Sequence, residues 1–249
     1  IRSLANIKAL AEYTGVNIYS FETLLAAVKT LIDGYHEKGY KAIKFGSAYR
    51  RKLDFENVTS IDAERVFNLI LSEKVNGDTK MCGSPTAMLT ISQVKPLDDY
   101  LTSYMVGMAG ERCMSVFFHA GIHAWNENNV DAIHVACLES LIRRHPATNF
   151  ILLHCGMPFV DDAIMLSKYF SNVHLNMTWC HIIDKEQSKL CVRKFIELLP
   201  VSKISAFGGD YSNPQQVYGH LEYAIDVVSE AVLSSDNACR LVILSFSLN

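Results

Sequence analysis

The segment that decides the fold is residues 150–178, FILLHCGMPFVDDAIMLSKYFSNVHLNMT. Its two short apolar runs, 150–154 and 173–178, predict buried strands, and the amphipathic stretch 161–170 between them predicts a helix. Strands that are joined through a crossover helix pair in parallel, whereas antiparallel neighbours need only a short hairpin. The segment therefore predicts a strand-helix-strand unit of a parallel sheet.

The same alternation extends in both directions along the chain. Further strands are predicted at 40–46, 114–119 and 203–208. Helical periodicity predicts helices at 1–13, 21–36, 60–74, 96–108, 130–144, 184–199 and 213–232. Ser20 and Ser60 are the expected N-caps of the second and third of these helices, and Pro214 suits the first position of the last one. The pattern indicates the α/β class.

Polar residues at strand ends favour a barrel over an open sheet. His119, His154, the Trp179-Cys180-His181 segment and Asp210 each follow a predicted strand. A barrel draws its site residues from the ends of many strands, whereas an open sheet binds its ligand at one switch point, often with a glycine-rich turn. The sequence contains no such glycine-rich motif. We expect a (β/α)8 TIM barrel, and residues 1–249 as a single domain, since no linker or repeat divides them.

Composition excludes several classes of protein and partner. The 249 residues are 49% hydrophobic and 20% charged, which excludes a disordered chain, and the net charge of −3 includes no block of like charge. Without such a block, neither nucleic acid nor an anionic membrane surface is expected as a partner, and no apolar run approaches the roughly 18 residues that a membrane helix needs. The seven cysteines are scattered and never spaced as C-x-x-C. We expect a cytoplasmic protein with a small-molecule substrate, able to form a homo-oligomer.

The strand-end residues predict a metal site. One strand-helix-strand period separates His119 from His154, so a barrel would place them side by side on one rim. Imidazole and carboxylate ligands suit a divalent metal, zinc first and manganese or iron as alternatives. Asp210 could bind the metal or act as the general base. A single strand-end histidine is more often structural, and both interpretations stay open on spacing alone.

Four further residues are candidate substrate contacts. Arg50, beside Tyr49, could pair with a substrate carboxylate, although a solvated loop arginine is the alternative. Lys44 lies at a strand end and could equally be a surface lysine. His123 follows His119 by four residues, but Gly121 between them favours a loop over a helical pair of ligands.

Four motifs together resemble one enzyme family. They are AIKFGSAYRR at 42–51, FFHAG at 117–121, LLHCGMP at 152–158 and FGGDYSNP at 207–214. In order and spacing they resemble the metal-dependent hydrolase-like branch of the amidohydrolase superfamily, which also includes decarboxylases and uronate isomerase. The resemblance spans about residues 20–232. It implies a barrel with a metal at its C-terminal rim, with His119, His154 and Asp210 matching the fifth-, sixth- and eighth-strand residues. Lys44 would lie on the fourth strand, where parts of the superfamily carry a carbamylated lysine.

The sequence departs from the family in its first strands. The family places an H-x-H pair after strand one, and this sequence has none. We therefore expect strands four to eight only, with the N-terminal strands missing from a chain that starts at Ile1. The resemblance implies a metal-dependent hydrolase of a small, carboxylate-bearing substrate, with Asp210 as general base and Arg50 as anion anchor. The alternatives are a decarboxylase or sugar-acid isomerase of the same superfamily, and a non-catalytic barrel remnant.

Overall fold

A computed structural model of the protein describes residues 1–76, 89–124 and 128–234. Within these ranges the chain alternates helices with short strands, as the sequence predicts. The strands are β1 (Ala42–Phe45), β2 (Ser115–His119), β3 (Phe150–Leu153), β4 (Val173–Thr178) and β5 (Ile204–Gly208). The helices are α1 (Leu4–Thr14), α2 (Phe21–Glu37), α3 (Ser60–Asn76), α4 (Ile91–Glu111), α5 (Glu139–Arg144), α6 (Val160–Tyr169), α7 (Cys180–Ile183), α8 (Lys185–Leu198) and α9 (Pro214–Leu233).

The five described strands form one sheet in sequence order, β1-β2-β3-β4-β5. Strand β3 pairs in parallel with β4, with Phe150 opposite Val173, and β4 pairs in parallel with β5. The register of β4 and β5 shifts between Asn176 and Thr178, where β4 ends. Sequential parallel strands linked through helices are the pattern of a β/α barrel, because a crossover on one side brings each new strand next to the last.

The chain divides into two compact units. Unit 1 comprises residues 1–43, 54–116 and 143–148, and unit 2 comprises 44–53, 117–142 and 149–249. The prediction of one domain over 1–249, part of which lies outside the described residues, stays a prediction.

Unit 1 is a helical unit whose core is apolar. The Phe21 ring on α2 packs against Phe67 of α3 and Tyr100 of α4, with ring centroids 6.1 and 5.4 Å away. Helix α2 begins at the predicted cap, since the Ser20 hydroxyl accepts a hydrogen bond from the Thr23 backbone N–H at 3.2 Å. These contacts hold three helices together around a common apolar core.

Unit 2 contains the ends of the strands and their connecting loops. Rings on successive strands stack in its core: Phe45 lies 4.7 Å from Phe118, which lies 5.9 Å from Phe150. Phe118 and Phe150 are fully buried. This stack packs β1, β2 and β3 against one another in the core of unit 2.

The predicted helix 130–144 is wrong over most of its length. Residues Val130–Ile133 and Val135–Leu138 form 3₁₀ turns, and only Glu139–Arg144 is α-helical. The helix is broken at His134, whose backbone is extended. Its ring contacts α6 and Phe159, the residue that precedes α6. Its Nε2 lies 3.1 Å from an Asp162 carboxylate oxygen, and its ring packs edge-on against Phe159 at 4.3 Å. These tertiary contacts override the helical periodicity.

Three helix starts also differ from the predictions, since α1 begins at Leu4, after its N-cap Ser3, rather than at Ile1. Thr59 caps α3, since its hydroxyl accepts from the Asp62 backbone N–H at 3.2 Å, so Ser60 is the first helical residue. Helix α4 begins at Ile91 rather than Pro96, because Thr90 and Gln93 form a capping box ahead of the proline. Pro96 lies inside the helix, which continues through it to Glu111.

Two further observations concern membrane-spanning helices and the cysteines. No helix in the described ranges is long and apolar enough to cross a membrane. The described cysteines (Cys113, Cys137, Cys155, Cys180 and Cys191) are all free thiols, while Cys82 and Cys239 lie outside the described residues.

Candidate metal centre at the strand ends

Every residue predicted for the site lies in unit 2, in the carboxyl-terminal half of a strand or in the segment that follows it. His119 is the last residue of β2, His154 directly follows β3, and Asp210 follows β5 by two residues. Lys44 is the third residue of β1, and Tyr49 ends the 3₁₀ turn after that strand. The fold thus positions the candidates along one edge of a sequentially ordered sheet.

The two predicted metal-binding histidines face one another. His154 Nε2 lies 3.1 Å from His119 Nδ1, and both side chains are buried with 3% exposure. The outer nitrogen of each ring meets a backbone carbonyl: His154 Nδ1 lies 2.9 Å from the Thr178 oxygen, and His119 Nε2 lies 3.1 Å from the Ile122 oxygen. The structure therefore brings together the two histidines as the sequence predicts.

These three contacts need more protons than two neutral rings hold. A carbonyl oxygen only accepts hydrogen bonds, so each outer nitrogen must carry a hydrogen to bond its carbonyl. A neutral imidazole has one N–H, which leaves His119 Nδ1 and His154 Nε2 as two lone pairs that point at each other. Either an extra proton or a cation between the two nitrogens resolves this repulsion.

Burial disfavours the extra proton. Removal from water, followed by the influence of His154, lowers the pKa of His119 to about 3. Burial is also the main cause of a lowered pKa at His154, although the Thr178 carbonyl acts in the opposite direction. Both rings are therefore neutral near pH 7, which is the form of histidine that binds metals.

The donor set of this pair fits a divalent metal. Two imidazole ligands of a tetrahedral zinc, each at about 2.0–2.1 Å, lie roughly 3.3 Å apart, close to the 3.1 Å between the facing nitrogens. Their outer hydrogen bonds to carbonyls also fix the ring orientation, as is usual for metal-bound histidine. Within the described residues no group of three or more His, Cys, Asp or Glu side chains is arranged to hold a metal. The pair accounts for two donors, and Asp210 stays a predicted ligand.

Asp210 is paired with Lys44. The ammonium of Lys44 lies 3.5 Å from an Asp210 carboxylate oxygen, and both side chains are about half exposed. Burial lowers the pKa of His154, and the negative charge of Asp210 is close enough to oppose part of that lowering. Lys44, conversely, contributes to lowering that pKa. The four groups thus belong to one electrostatic cluster, as their positions in the sequence predict.

Tyr49 and His123 also reach this cluster. The Tyr49 ring lies 4.5 Å from the His119 ring and 4.4 Å from the His123 ring, and the two histidine rings stack at 5.2 Å. The Tyr49 hydroxyl accepts a hydrogen bond from the Ala124 backbone N–H at 3.3 Å. Gly121 interrupts any helix here, as predicted, and His123 lies on a loop.

Arg50 and Arg51 have different environments. The Arg50 side chain is exposed, and its guanidinium makes no hydrogen bond or ion pair with the part of the chain that the structure describes. Arg51 is buried, and its Nε donates to the Lys52 carbonyl at 3.1 Å. Of the two, Arg50 has the free guanidinium that an anion anchor needs, and this role stays a prediction.

The backbone at these strand ends is unusual. His154 (φ 60°), Cys155 (φ 50°), Trp179 (φ 65°) and Asp210 (φ 53°) adopt the left-handed region, which non-glycine residues rarely occupy. They follow three successive strands, β3, β4 and β5. Such residues cost of order 1–3 kcal/mol each and concentrate at functional sites. Their recurrence at one edge supports a functional site there.

The sequence analysis missed the groups that hold the histidine pair in place. A Cβ atom at Gly121 would lie only 2.6 Å from the His154 Cβ, so the glycine permits the close approach of this loop to His154. A Cβ atom at Gly208 would lie even closer to the Thr178 hydroxyl oxygen. Gly121, two residues after His119, could be noticed in the sequence. That it packs against His154 could not, because His154 is distant in the sequence. The carbonyl partners Ile122 and Thr178 leave no sequence signal at all.

A second buried cluster lies after β4 and β5 in unit 2. His181 is fully buried, and its Nε2 lies 2.8 Å from the Ala206 carbonyl. His220 on α9 is 4% exposed, and neither ring nitrogen has a hydrogen-bond partner among the described residues. Its ring packs edge-on against Phe207 and Tyr211, at 5.1 and 5.7 Å. His181 and the motif that contains Phe207 and Tyr211 were noted from the sequence, whereas His220 was not.

Comparison with protein families supports the resemblance seen in the sequence. A family model described as amidohydrolase matches residues 83–226, more than half of the chain. Among curated proteins, protein fluG of Emericella nidulans is 22% identical over 172 residues, which are 67% of this chain and 18% of fluG.

Three solved structures share the fold. A protein from Lactobacillus casei ATCC 334 assigned as a metal-dependent hydrolase superimposes with a TM-score of 0.62 at 20% identity, over 92% of this chain and 61% of its own. Uronate isomerase of Thermotoga maritima gives a TM-score of 0.72 at 11% identity, over 92% of this chain and 51% of its own. Glucuronate isomerase of Caulobacter crescentus gives a TM-score of 0.66 at 16% identity, over 90% of this chain and 47% of its own. The predicted α/β barrel class is confirmed, and the chain spans about half to three fifths of these structures.

Proposed function

Because this chain belongs to the amidohydrolase family, we propose that it is a metal-dependent hydrolase of a small polar substrate that carries a carboxylate. Protein fluG and the similar structures are all longer than this chain. We expect it to bind a small molecule rather than a nucleic acid or a membrane.

The observation that carries the proposal is the pair of facing imidazole nitrogens. His119 Nδ1 and His154 Nε2 present two lone pairs to the same point, 3.1 Å apart, in a buried position that disfavours a proton. A structural histidine pair would share one N–H between the rings, whereas the outer nitrogens of this pair lie within hydrogen-bonding distance of the Thr178 and Ile122 carbonyls, which favours the tautomers that place both hydrogens there. The arrangement favours metal binding over the non-catalytic remnant.

The residues of the cluster have distinct roles in this proposal. His119 and His154 would hold the metal, for which zinc is the first candidate. A divalent metal with an open position supplies Lewis-acid polarisation and a lowered pKa for water. The Asp210 carboxylate would take the proton from the attacking water, and Lys44, 3.5 Å away, would hold that carboxylate in place. Lys44 is not a metal ligand in this scheme, because its ammonium group has no lone pair to donate.

The remaining candidates would bind the substrate. The exposed guanidinium of Arg50 suits a bidentate bond to a substrate carboxylate. Tyr49 and His123 form one wall beside His119, where their rings would exclude water from the metal side. Sugar-acid isomerisation is the alternative reaction, since two of the similar structures are isomerases named for uronates. Decarboxylation is a further alternative within the superfamily.

A substrate screen with the longest natural form of the protein tests the reaction. The zinc-loaded enzyme is assayed against N-acyl amino acids, lactones and uronates, with separate detection of hydrolysis, isomerisation and carbon dioxide release. We expect hydrolysis, with kcat lowered about 10²- to 10⁴-fold in Asp210→Asn because the general base is lost. The matched control Asp226→Asn, at an exposed position on α9, should retain full activity. Isomerisation or carbon dioxide release without hydrolysis would overturn the proposal.

A further inference from the structure

Unit 1 contains a cavity that has no part in the strand-end chemistry. Its volume is about 460 Å³, within the range of small-molecule sites. Successive turns of α4 line it with Tyr100, Ser103, Tyr104 and Gly107, and His145 also belongs to the lining. All of the lining residues belong to unit 1.

Within this cavity a serine meets a histidine. Ser103 Oγ lies 2.8 Å from His145 Nε2, which is hydrogen-bonding distance for a nucleophile and its base. In the tautomer that carries its proton on Nδ1, His145 accepts the serine hydroxyl hydrogen at Nε2. Burial, followed by the neighbouring Arg144 charge, lowers the pKa of His145, which favours the neutral ring.

Ser103 differs from other hydroxyl residues on the helices of unit 1. The Thr14 hydroxyl donates to the Leu10 carbonyl at 2.7 Å, and that of Ser72 donates to the Leu69 carbonyl at 2.8 Å. Such bonds to the preceding turn are the usual state of a helical hydroxyl. Ser103 makes no bond of this kind within the described ranges, and its hydroxyl is directed instead at the imidazole in the cavity.

The charges at the cavity are already compensated. Lys29 and Arg112 both pair with Asp33, at 2.5 and 2.6 Å, and Arg112 also pairs with Glu111 at 3.3 Å. The Lys29 hydrogen bond is the main cause that holds the pKa of Asp33 below its usual range. With its cations engaged and with Tyr100, Tyr104, Val58 and Met108 in its lining, the cavity suits an uncharged ligand with an aromatic or apolar part.

We propose that this cavity is a second reactive site, in which Ser103, with His145 as its base, accepts an acyl group from small uncharged esters. Ser103 Oγ forms a bond to the carbonyl carbon while its proton passes to His145 Nε2. The ester C–O bond then breaks, and the leaving oxygen departs with the bonding electron pair and, if basic enough, takes the proton from His145. Water later hydrolyses the acyl-serine by the reverse proton path. No oxidant, metal or further reactant is required.

Acetylation by 4-nitrophenyl acetate tests this site, with the metal removed by chelator so that the strand-end chemistry cannot contribute. The full chain is expected to release one burst equivalent of nitrophenolate and to carry one acetyl group on Ser103 by peptide mass analysis. Ser103→Ala should abolish the burst, whereas Ser72→Ala, the matched helical serine of unit 1, should leave it unchanged. His145→Gln should slow the burst about 100-fold, since general-base catalysis contributes about 10²–10⁴.

Gly107→Ala provides a second variant that preserves the fold. Alanine is favoured over glycine in a helix, and its Cβ would lie 3.5 Å from His145 Cε1, an ordinary contact that narrows the cavity. We expect a stable protein with a slower burst. Acetyl groups found only on lysines, no acetylation at all, or an undiminished burst in Ser103→Ala would each overturn the proposal, and none of these results bears on the metal site.

Discussion

The Gly121→Ala substitution tests the packing that holds His154 in position. The added Cβ would lie 2.6 Å from His154 Cβ, 3.1 Å from the His154 carbonyl oxygen and 3.2 Å from the Met157 backbone nitrogen. Carbon atoms in contact are normally about 3.5–4.0 Å apart, so His154 must move by about 1 Å. The nearest atoms are backbone or next to it, and rotation of a flexible side chain cannot relieve the contact.

The expected cost follows from this overlap. Forcing one methyl group into a packed position destabilises proteins by about 1–3 kcal/mol. Gly219→Ala is the matched control, because Gly219 lies inside α9 of the same unit and an added Cβ meets nothing within 4 Å. There the change should stabilise the helix by up to about 1 kcal/mol.

Urea unfolding of both variants, followed by circular dichroism, measures the difference in free energy of unfolding. A shift of His154 by about 1 Å should also weaken zinc binding in Gly121→Ala, measured by competition with a chromogenic chelator, but not in Gly219→Ala. If Gly121→Ala matched the parent in both stability and zinc affinity, the close packing of the 121 loop against His154 would be refuted.

Three further predictions concern stability. His220→Phe should raise the free energy of unfolding by about 1 kcal/mol, because it removes from an aromatic cluster two buried nitrogens that have no hydrogen-bond partner among the described residues; a loss of stability in urea would contradict this. Asp99→Ala should lower it by about 3 kcal/mol, since the fully buried Asp99 carboxylate holds Lys95 at 2.6 Å and the Glu56 backbone N–H at 3.1 Å; an unchanged urea midpoint would refute the role of this buried pair. Tm in the absence of metal should fall as the pH drops below about 6.5. Folding lowers the pKa of seven of the nine histidines, that of His119 to about 3, so below that pH the unfolded chain binds more protons than the folded one. A Tm independent of pH between 7 and 5 would exclude this linkage.

The strands and most helices were predictable because their signals are local. The alternating or continuous apolar runs located all five described strands to within two residues at either end, and Ser20 marked the start of α2. The predicted helix 130–144 failed because His134 forms tertiary bonds to Asp162 and Phe159 that no local pattern encodes. Helix α4 was predicted too short, because Pro96 was interpreted as a start although the capping residues lay before it.

The candidate site was predictable in its residue types and less so in its contacts. Strand-end positions located the His119 and His154 pair, because parallel strands end at one edge. The carbonyl partners of the pair and the close approach of Gly121 depend on loops that are brought together from distant segments. The Ser103 and His145 pair in unit 1 had no sequence signal either, since 42 positions separate the two residues.

The metal content of the longest natural form tests the central claim most directly. The protein is purified without chelators and analysed for zinc, manganese and iron beside His154→Ala and the control His174→Ala, which removes a half-buried histidine of β4. Circular dichroism confirms that all three proteins are folded. The account predicts a near-stoichiometric divalent metal in the parent and in His174→Ala, and its loss in His154→Ala. A parent without metal, or a His154→Ala variant that retains it, would contradict the assignment of the facing histidines as a metal centre.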